Sequence, residues 1–307
     1  MRALVATGNP AAPLEMLDVE EPTAAPGEVV IQTSKVSINR GELRLLASRP
    51  AGWRPGQDIA GTVIRAAANG FGPPAGTRVV ALVDQAGWAE RAAAPAPRLG
   101  VLPDGVSFGQ AASLPVAGLT ALRTLRLGGM LLGRNVLVTG ASGGVGHFAV
   151  QLAARSGAHV TGVTRNPDRG ASLLAAGDVR LTSDMLSLEP EFDLILESVG
   201  GDSLTSSLKL VARDGTVVLF GNSSGQDSTL CFAGFAGRAH AKLYAFYVYE
   251  SGEPPTFGAD LALLAGEIAA GRLDPRIGLE ASWRNPMDAL EALRERGIEG
   301  KAILAID

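Results

Sequence analysis

The chain has 307 residues, 46% of them hydrophobic and only 5% aromatic, with 39 glycines and a formal net charge of -4. That is enough apolar residue for one large or two ordinary domains, and the mild negative charge argues against nucleic acid or an anionic membrane as the main partner. Cys231 is alone, so no intrachain disulfide forms; Met1 to Gly8 lacks a signal-peptide pattern and no apolar run reaches about 20 residues, so a soluble cytoplasmic protein is expected.

Over the first ~115 residues short strands separated by Pro and Gly are expected. Examples are 29–31, 59–64 and 78–82, with turn chemistry at Ala25-Pro26-Gly27, Arg54-Pro55-Gly56 and Gly72-Pro73-Pro74. One short helix is expected near Arg40 to Leu46. After Pro115 the pattern changes to apolar strands alternating with helices. Strands are predicted at 135–139, 159–164, 192–197, 216–221 and 242–249. Helices are predicted at 145–155, 167–176, near 203–210 and at 259–270. Such alternation indicates a parallel sheet covered on both faces. Asn285 and Pro286 open a further helix through Arg296, and a last strand covers 302–306. The tail is expected to return to the β-rich part, so that the α/β unit is inserted within a discontinuous first domain.

Val136 to His147 reads as a strand, a glycine-rich turn and a helix start, the order that pyrophosphate binding needs. Gly140 permits the turn out of the strand. Gly143, Gly144 and Val145 offer backbone N–H groups, and Gly146 lets the helix approach the sheet. NAD would call for an acidic residue at the end of the next strand. The sequence there is Val163-Thr164-Arg165-Asn166-Pro167-Asp168-Arg169, so Thr164, Arg165 and Arg169 favour a 2′-phosphate and hence NADPH. Asp168 suits the start of the following helix. The turn also fits the TGxxxGxG pattern of short-chain dehydrogenases. However, Tyr244, Tyr247 and Tyr249 are followed four residues later by Val248, Ser251 and Glu253, with no lysine to complete a catalytic pair.

Ser37-Ile38-Asn39, Gly56 to Val63, Ala112 to Ala121, the glycine turn, Glu197-Ser198-Val199-Gly200-Gly201 and Gly300-Lys301, in that order and spacing, closely resemble the medium-chain dehydrogenase/reductase superfamily. The likeness is to its zinc-independent, quinone oxidoreductase-like branch, also called zeta-crystallin-like. It implies an α/β protein with a GroES-like β-rich catalytic domain (1–118 and 275–307) and a Rossmann cofactor domain (119–274), with substrate in the cleft between them. It implies that Thr120, Val199, Gly200 and the Gly221, Ser223 and Ser224 loop lie near the nicotinamide, ribose or phosphates. Phe246 would sit near the carboxamide, or in the core. Asn39 would line the nicotinamide and substrate end. Asp58 would stand behind it or simply cap a turn. Pairing of the 242–249 strand across a homodimer is also expected.

A catalytic zinc needs Cys, His or acidic ligands from the β-rich domain. Residues 1–146 contain neither His nor Cys, and the three histidines are His147, His159 and His240. Zinc is therefore not expected. Without a Lewis acid to lower an alcohol's pKa, hydride delivery to an already electrophilic acceptor is the expected chemistry: a quinone, an enone or another α,β-unsaturated carbonyl. Relatives often carry a tyrosine soon after the Asn39 position; here no tyrosine precedes residue 244. Asn39 and Arg40 are the candidate catalytic residues. Arg40, Glu42 and Arg44 either polarise a carbonyl and shuttle a proton or form a solvated helix face. Trp53 and Trp88 either line an apolar cleft or complete the core. Two other readings keep the scaffold: an isomerase or cyclase of specialised metabolism, and a non-catalytic NADPH-binding protein.

Overall fold

The computed structural model describes residues 1–189, 191–251 and 255–307. The first stretch of chain forms β1 (Arg2–Ala6), β2 (Leu14–Asp18), β3 (Glu28–Ile38), α1 (Arg40–Ser48), β4 (Asp58–Arg65), β5 (Arg78–Leu82), β6 (Arg91–Pro95), β7 (Leu99–Val101), α2 (Phe108–Ala112) and α3 (Pro115–Arg126). Next come β8 (Asn135–Thr139), α4 (Gly144–Arg155), β9 (His159–Val163), a 3-10 segment (Pro167–Ala176), β10 (Val179–Thr182), β11 (Phe192–Glu197), α5 (Asp202–Leu210), β12 (Val211–Leu219) and β13 (Lys242–Ala245). The last stretch carries α6 (Pro255–Ala269), β14 (Ile277–Ser282), α7 (Pro286–Arg294) and β15 (Lys301–Ala305).

Two compact units result, Met1–Leu119 with Gly252–Asp307, and Thr120–Ser251. In the first, a largely antiparallel sheet runs β14-β15-β3-β4-β5-β7, with β6 also paired to β3, and β1 and β2 form a small hairpin. The alternating Val, Ile and Ala of β3, β4 and β5 fill its core together with Trp88 and Trp283. Trp88 is fully buried and donates its Nε1 proton to the Ser37 carbonyl at 3.3 Å, so it completes the core. Trp53 is half-buried against the same core, with Nε1 bonded to Gln85 Oε1 at 2.9 Å.

In the second unit six strands run in the order β10-β9-β8-β11-β12-β13, every neighbouring pair parallel. This is the 3-2-1-4-5-6 order of a doubly wound dinucleotide-binding sheet, whose switch point falls between β8 and β11. The expected strand 242–249 ends earlier, at Ala245, because Val248–Glu250 coils into a 3-10 turn. Of the two units, the β-rich one takes in α6, which precedes the boundary expected at 274. Helix α6 packs on β7 and β5 of the β-rich unit, burying Phe257, Leu261, Leu264, Ala265 and Ile268.

Candidate functional site

At the carboxyl end of β8 the backbone turns at Gly140, whose φ of +64° suits a residue without a side chain. Gly143 then caps α4 with no side chain of its own. The first-turn N–H groups and the positive end of the helix are thus offered to an outside anion. A Cβ on Gly146 would run into the Gly140 carbonyl, so the helix start can lie this close to the turn only as glycine. The cradle fits a pyrophosphate.

Around it three loops are tied together. Ser198 N–H donates to Thr139 Oγ1 at 2.9 Å and Ser198 Oγ to the Thr139 carbonyl at 3.0 Å, joining the ends of β11 and β8 across the switch point. Ser223 N–H donates to the Ser198 carbonyl and Ser224 N–H to the Val199 carbonyl, at 3.0 and 2.8 Å, and Gly221 lies against Ser198. The expected residues Gly143, Gly144, Val145, Gly146, Val199, Gly200, Gly221, Ser223 and Ser224 are therefore on neighbouring loops. Thr164 is buried just beyond β9, its hydroxyl 2.9 Å from Ser142 Oγ. Arg165 follows, exposed and with no partner among the described residues, and Arg169 is half-buried in the 3-10 segment that Asn166 caps through the Asp168 N–H. Thr120 is buried in α3, and Phe246 is buried after β13, its N–H on the Leu219 carbonyl.

Glu197 was quoted for the family likeness but given no role, and it organises this end of the sheet. Fully buried, it accepts Val199 N–H (2.7 Å) and Gly200 N–H (2.9 Å) on Oε1, and the Ser203 and Ser207 hydroxyls (2.9 Å each) on Oε2. Four donors satisfy the carboxylate and hold the Val199–Gly200 turn in place. The signal in the sequence was an acid at the carboxyl end of the strand, directly after the apolar run Leu194-Ile195-Leu196.

The β-rich unit holds a second polar cluster. Asp58, at the start of β4, accepts Ser37 Oγ at 2.6 Å and Asn39 Nδ2 at 2.8 Å on Oδ2, and the Val116 N–H at 2.9 Å on Oδ1. Lys301 Nζ, at the start of β15, donates to Asn39 Oδ1 at 2.6 Å and stands 3.3 Å from Asp58 Oδ2. The Asn39 amide is thereby held at both ends, oxygen to the ammonium and nitrogen to the carboxylate. Glu42 accepts the Asn39 N–H at 2.7 Å. Its carboxyl is sealed from solvent, so the solvated-face reading fails for this residue, although Arg44 is exposed. Burial, then the Asp58 charge, push its pKa up to about 8. Arg40 is engaged elsewhere, donating from Nη1 to the Leu293 carbonyl of α7 at 3.0 Å.

Comparison with known proteins gives a consistent assignment. A family described as zinc-binding dehydrogenase matches residues 144–265. A chloroplast envelope quinone oxidoreductase homolog of Arabidopsis thaliana is 39% identical over 170 residues, 50% of this chain and 52% of that protein. The erythronolide synthase EryA2 of Saccharopolyspora erythraea is 33% identical over 84% of this chain but only 7% of its own length. The match thus spans about half of the first relative and a small part of the second. Among solved structures, the Escherichia coli quinone oxidoreductase complexed with NADPH superimposes with a TM-score of 0.88 over 100% of both chains, at 21% identity. These matches support a quinone oxidoreductase-like protein of the medium-chain dehydrogenase/reductase superfamily, and the solved structure shows the shared fold.

Proposed function

We propose that this chain is an NADPH-dependent, zinc-independent oxidoreductase that reduces a quinone, an enone or another α,β-unsaturated carbonyl. The observation that carries the reading is the glycine turn at the switch point, followed by Thr164 and the unpartnered Arg165 where an NAD site would carry an acid. The solved relative of the same fold that holds NADPH supports it.

In this reading Gly144, Val145 and Gly146 N–H groups bind the pyrophosphate, and Arg165 and Arg169 take the 2′-phosphate. Glu197 keeps the Val199–Gly200 turn in register. When bound, NADPH supplies a hydride, the acceptor takes it with one proton from solvent, and NADP+ remains. The Asn39 amide, clamped between Lys301 and Asp58, is the group assigned to the acceptor end, its orientation set before substrate arrives. Arg40, the other candidate, braces α1 against α7 through its bond to the Leu293 carbonyl. The enzyme is proposed to be cytoplasmic and to work as a homodimer through β13, whose four residues are all exposed at the end of the sheet.

The test is oxidation of NADPH by the purified protein with a panel of quinones and enones. Turnover with NADPH and a weaker response to NADH are expected; equal use of NADH would remove the Arg165 assignment. Binding of NADPH without turnover of any acceptor would leave the protein a cofactor-binding one and end the reductase reading.

A further inference from the structure

Among the described residues, three enclosed side-chain atoms lack a hydrogen-bond partner: Thr33 Oγ1, Glu42 Oε1 and Arg54 Nε. Only Arg54 carries a charge throughout the physiological range. Burial alone pushes its guanidinium below the usual arginine range, and no carboxylate acts to hold it up. Other guanidinium groups are paired with acids: Arg2 with Glu90, Arg91 with Glu21, Arg98 with Asp84 and Arg134 with Asp193. Among the described residues the Arg54 side chain has neither an acid nor a carbonyl to donate to. With Nε sealed, its outer nitrogens are the donors left for a ligand.

The backbone under it is fixed. The Arg54 carbonyl accepts the Ala86 N–H at 2.9 Å, the Trp53 carbonyl accepts Ala6 N–H at 2.8 Å, and the Pro55 carbonyl accepts Trp88 N–H at 3.1 Å. Three residues on, Gln57 is only 8% exposed. This turn runs directly into Asp58 of the polar cluster that orients Asn39. A desolvated, unpaired cation on a rigid turn destabilises the free protein, and an incoming anion relieves it. A planar guanidinium matches a carboxylate with two parallel hydrogen bonds.

We propose that Arg54 is an anion-binding residue that selects carbonyl acceptors carrying a carboxylate. This deepens the reductase reading and rests on it. The experiment compares 3-benzoylacrylic acid with its methyl ester, two enones that differ in one negative charge, using the wild type, Arg54→Lys and Arg54→Met. The wild type is expected to favour the acid by about tenfold or more in kcat/KM, the size of a charged hydrogen bond. Arg54→Met should remove that preference through KM and leave the ester unchanged, while Arg54→Lys keeps part of it. An acid-to-ester ratio that is the same in wild type and Arg54→Met overturns the proposal. If neither enone is reduced, the reductase reading has failed, and calorimetric titration of benzoylacrylate still decides this one. Binding that weakens about tenfold in Arg54→Met upholds the site, whereas equal binding, or none to the wild type at millimolar ligand, overturns it. Because the Arg54 side chain makes no hydrogen bond among the described residues, Arg54→Met should melt no lower than the wild type, so a lost preference reads as lost recognition rather than lost fold.

Discussion

Glu42 shows how much one enclosed carboxyl can set. It ionises near pH 4.5 when the chain is unfolded and near 8 when folded, because burial and the neighbouring Asp58 both disfavour its charged form. Between those values the folded state holds a proton that the unfolded state has released, so this group's contribution makes stability fall as pH rises from about 4.5 to about 8. Above that it is constant. Glu42→Gln keeps an acceptor for the Asn39 N–H and removes the titration. Thermal melts at pH 5, 6.5 and 8 should show the variant gaining on the wild type as pH rises. A gap that does not change with pH would mean that Glu42 is ionised in the folded protein at neutral pH. The sequence offered only an acid three residues after an asparagine at a helix start. Its burial depends on β4 and β15 closing over α1, which no local pattern reports.

At the level of elements, the loops at the ends of β8, β11 and β12 act as one piece because Glu197, Ser198 and Thr139 cross-link them. Glu197→Gln replaces one acceptor with an NH2 group amid donors. We expect a loss of about 1–3 kcal/mol in denaturant unfolding and about tenfold weaker NADPH binding by fluorescence titration. Unchanged cofactor affinity would reduce Glu197 to a purely structural residue. Five of the six strands of this unit are legible in the sequence, since buried parallel strands are short apolar runs and the glycine turn follows one of them: 135–139 and 192–197 match to the residue, whereas β10, Val179–Thr182, is not foreseen. Pairing partners were not. β14 went unread because Ile277–Ser282 holds Gly, Glu and Ser, half-exposed at the sheet edge. The role of Lys301 depends on a register, Ala302 opposite Ile38, that only the folded sheet contains.

At the scale of the whole molecule, the parallel sheet ends at β13, where Lys242, Leu243, Tyr244 and Ala245 are all exposed. An open strand edge with an exposed leucine and tyrosine invites a second copy. Light scattering at micromolar protein should return a dimer mass, and Leu243→Lys should lower it to that of a monomer without changing the circular dichroism. A monomeric wild type would rule out the pairing. No helix among the described residues is long and apolar enough to cross a membrane. The ion pair between Asp58 and Lys301 joins residues 243 positions apart, and β15 brings Lys301 in by closing the free side of β3. On a ribosome adding about 5–20 residues per second, Asp58 therefore waits roughly ten to fifty seconds for its counter-ion while the intervening unit is made. For all that time the Lys35–Ile38 end of β3, which β6 does not reach, has no strand on that side.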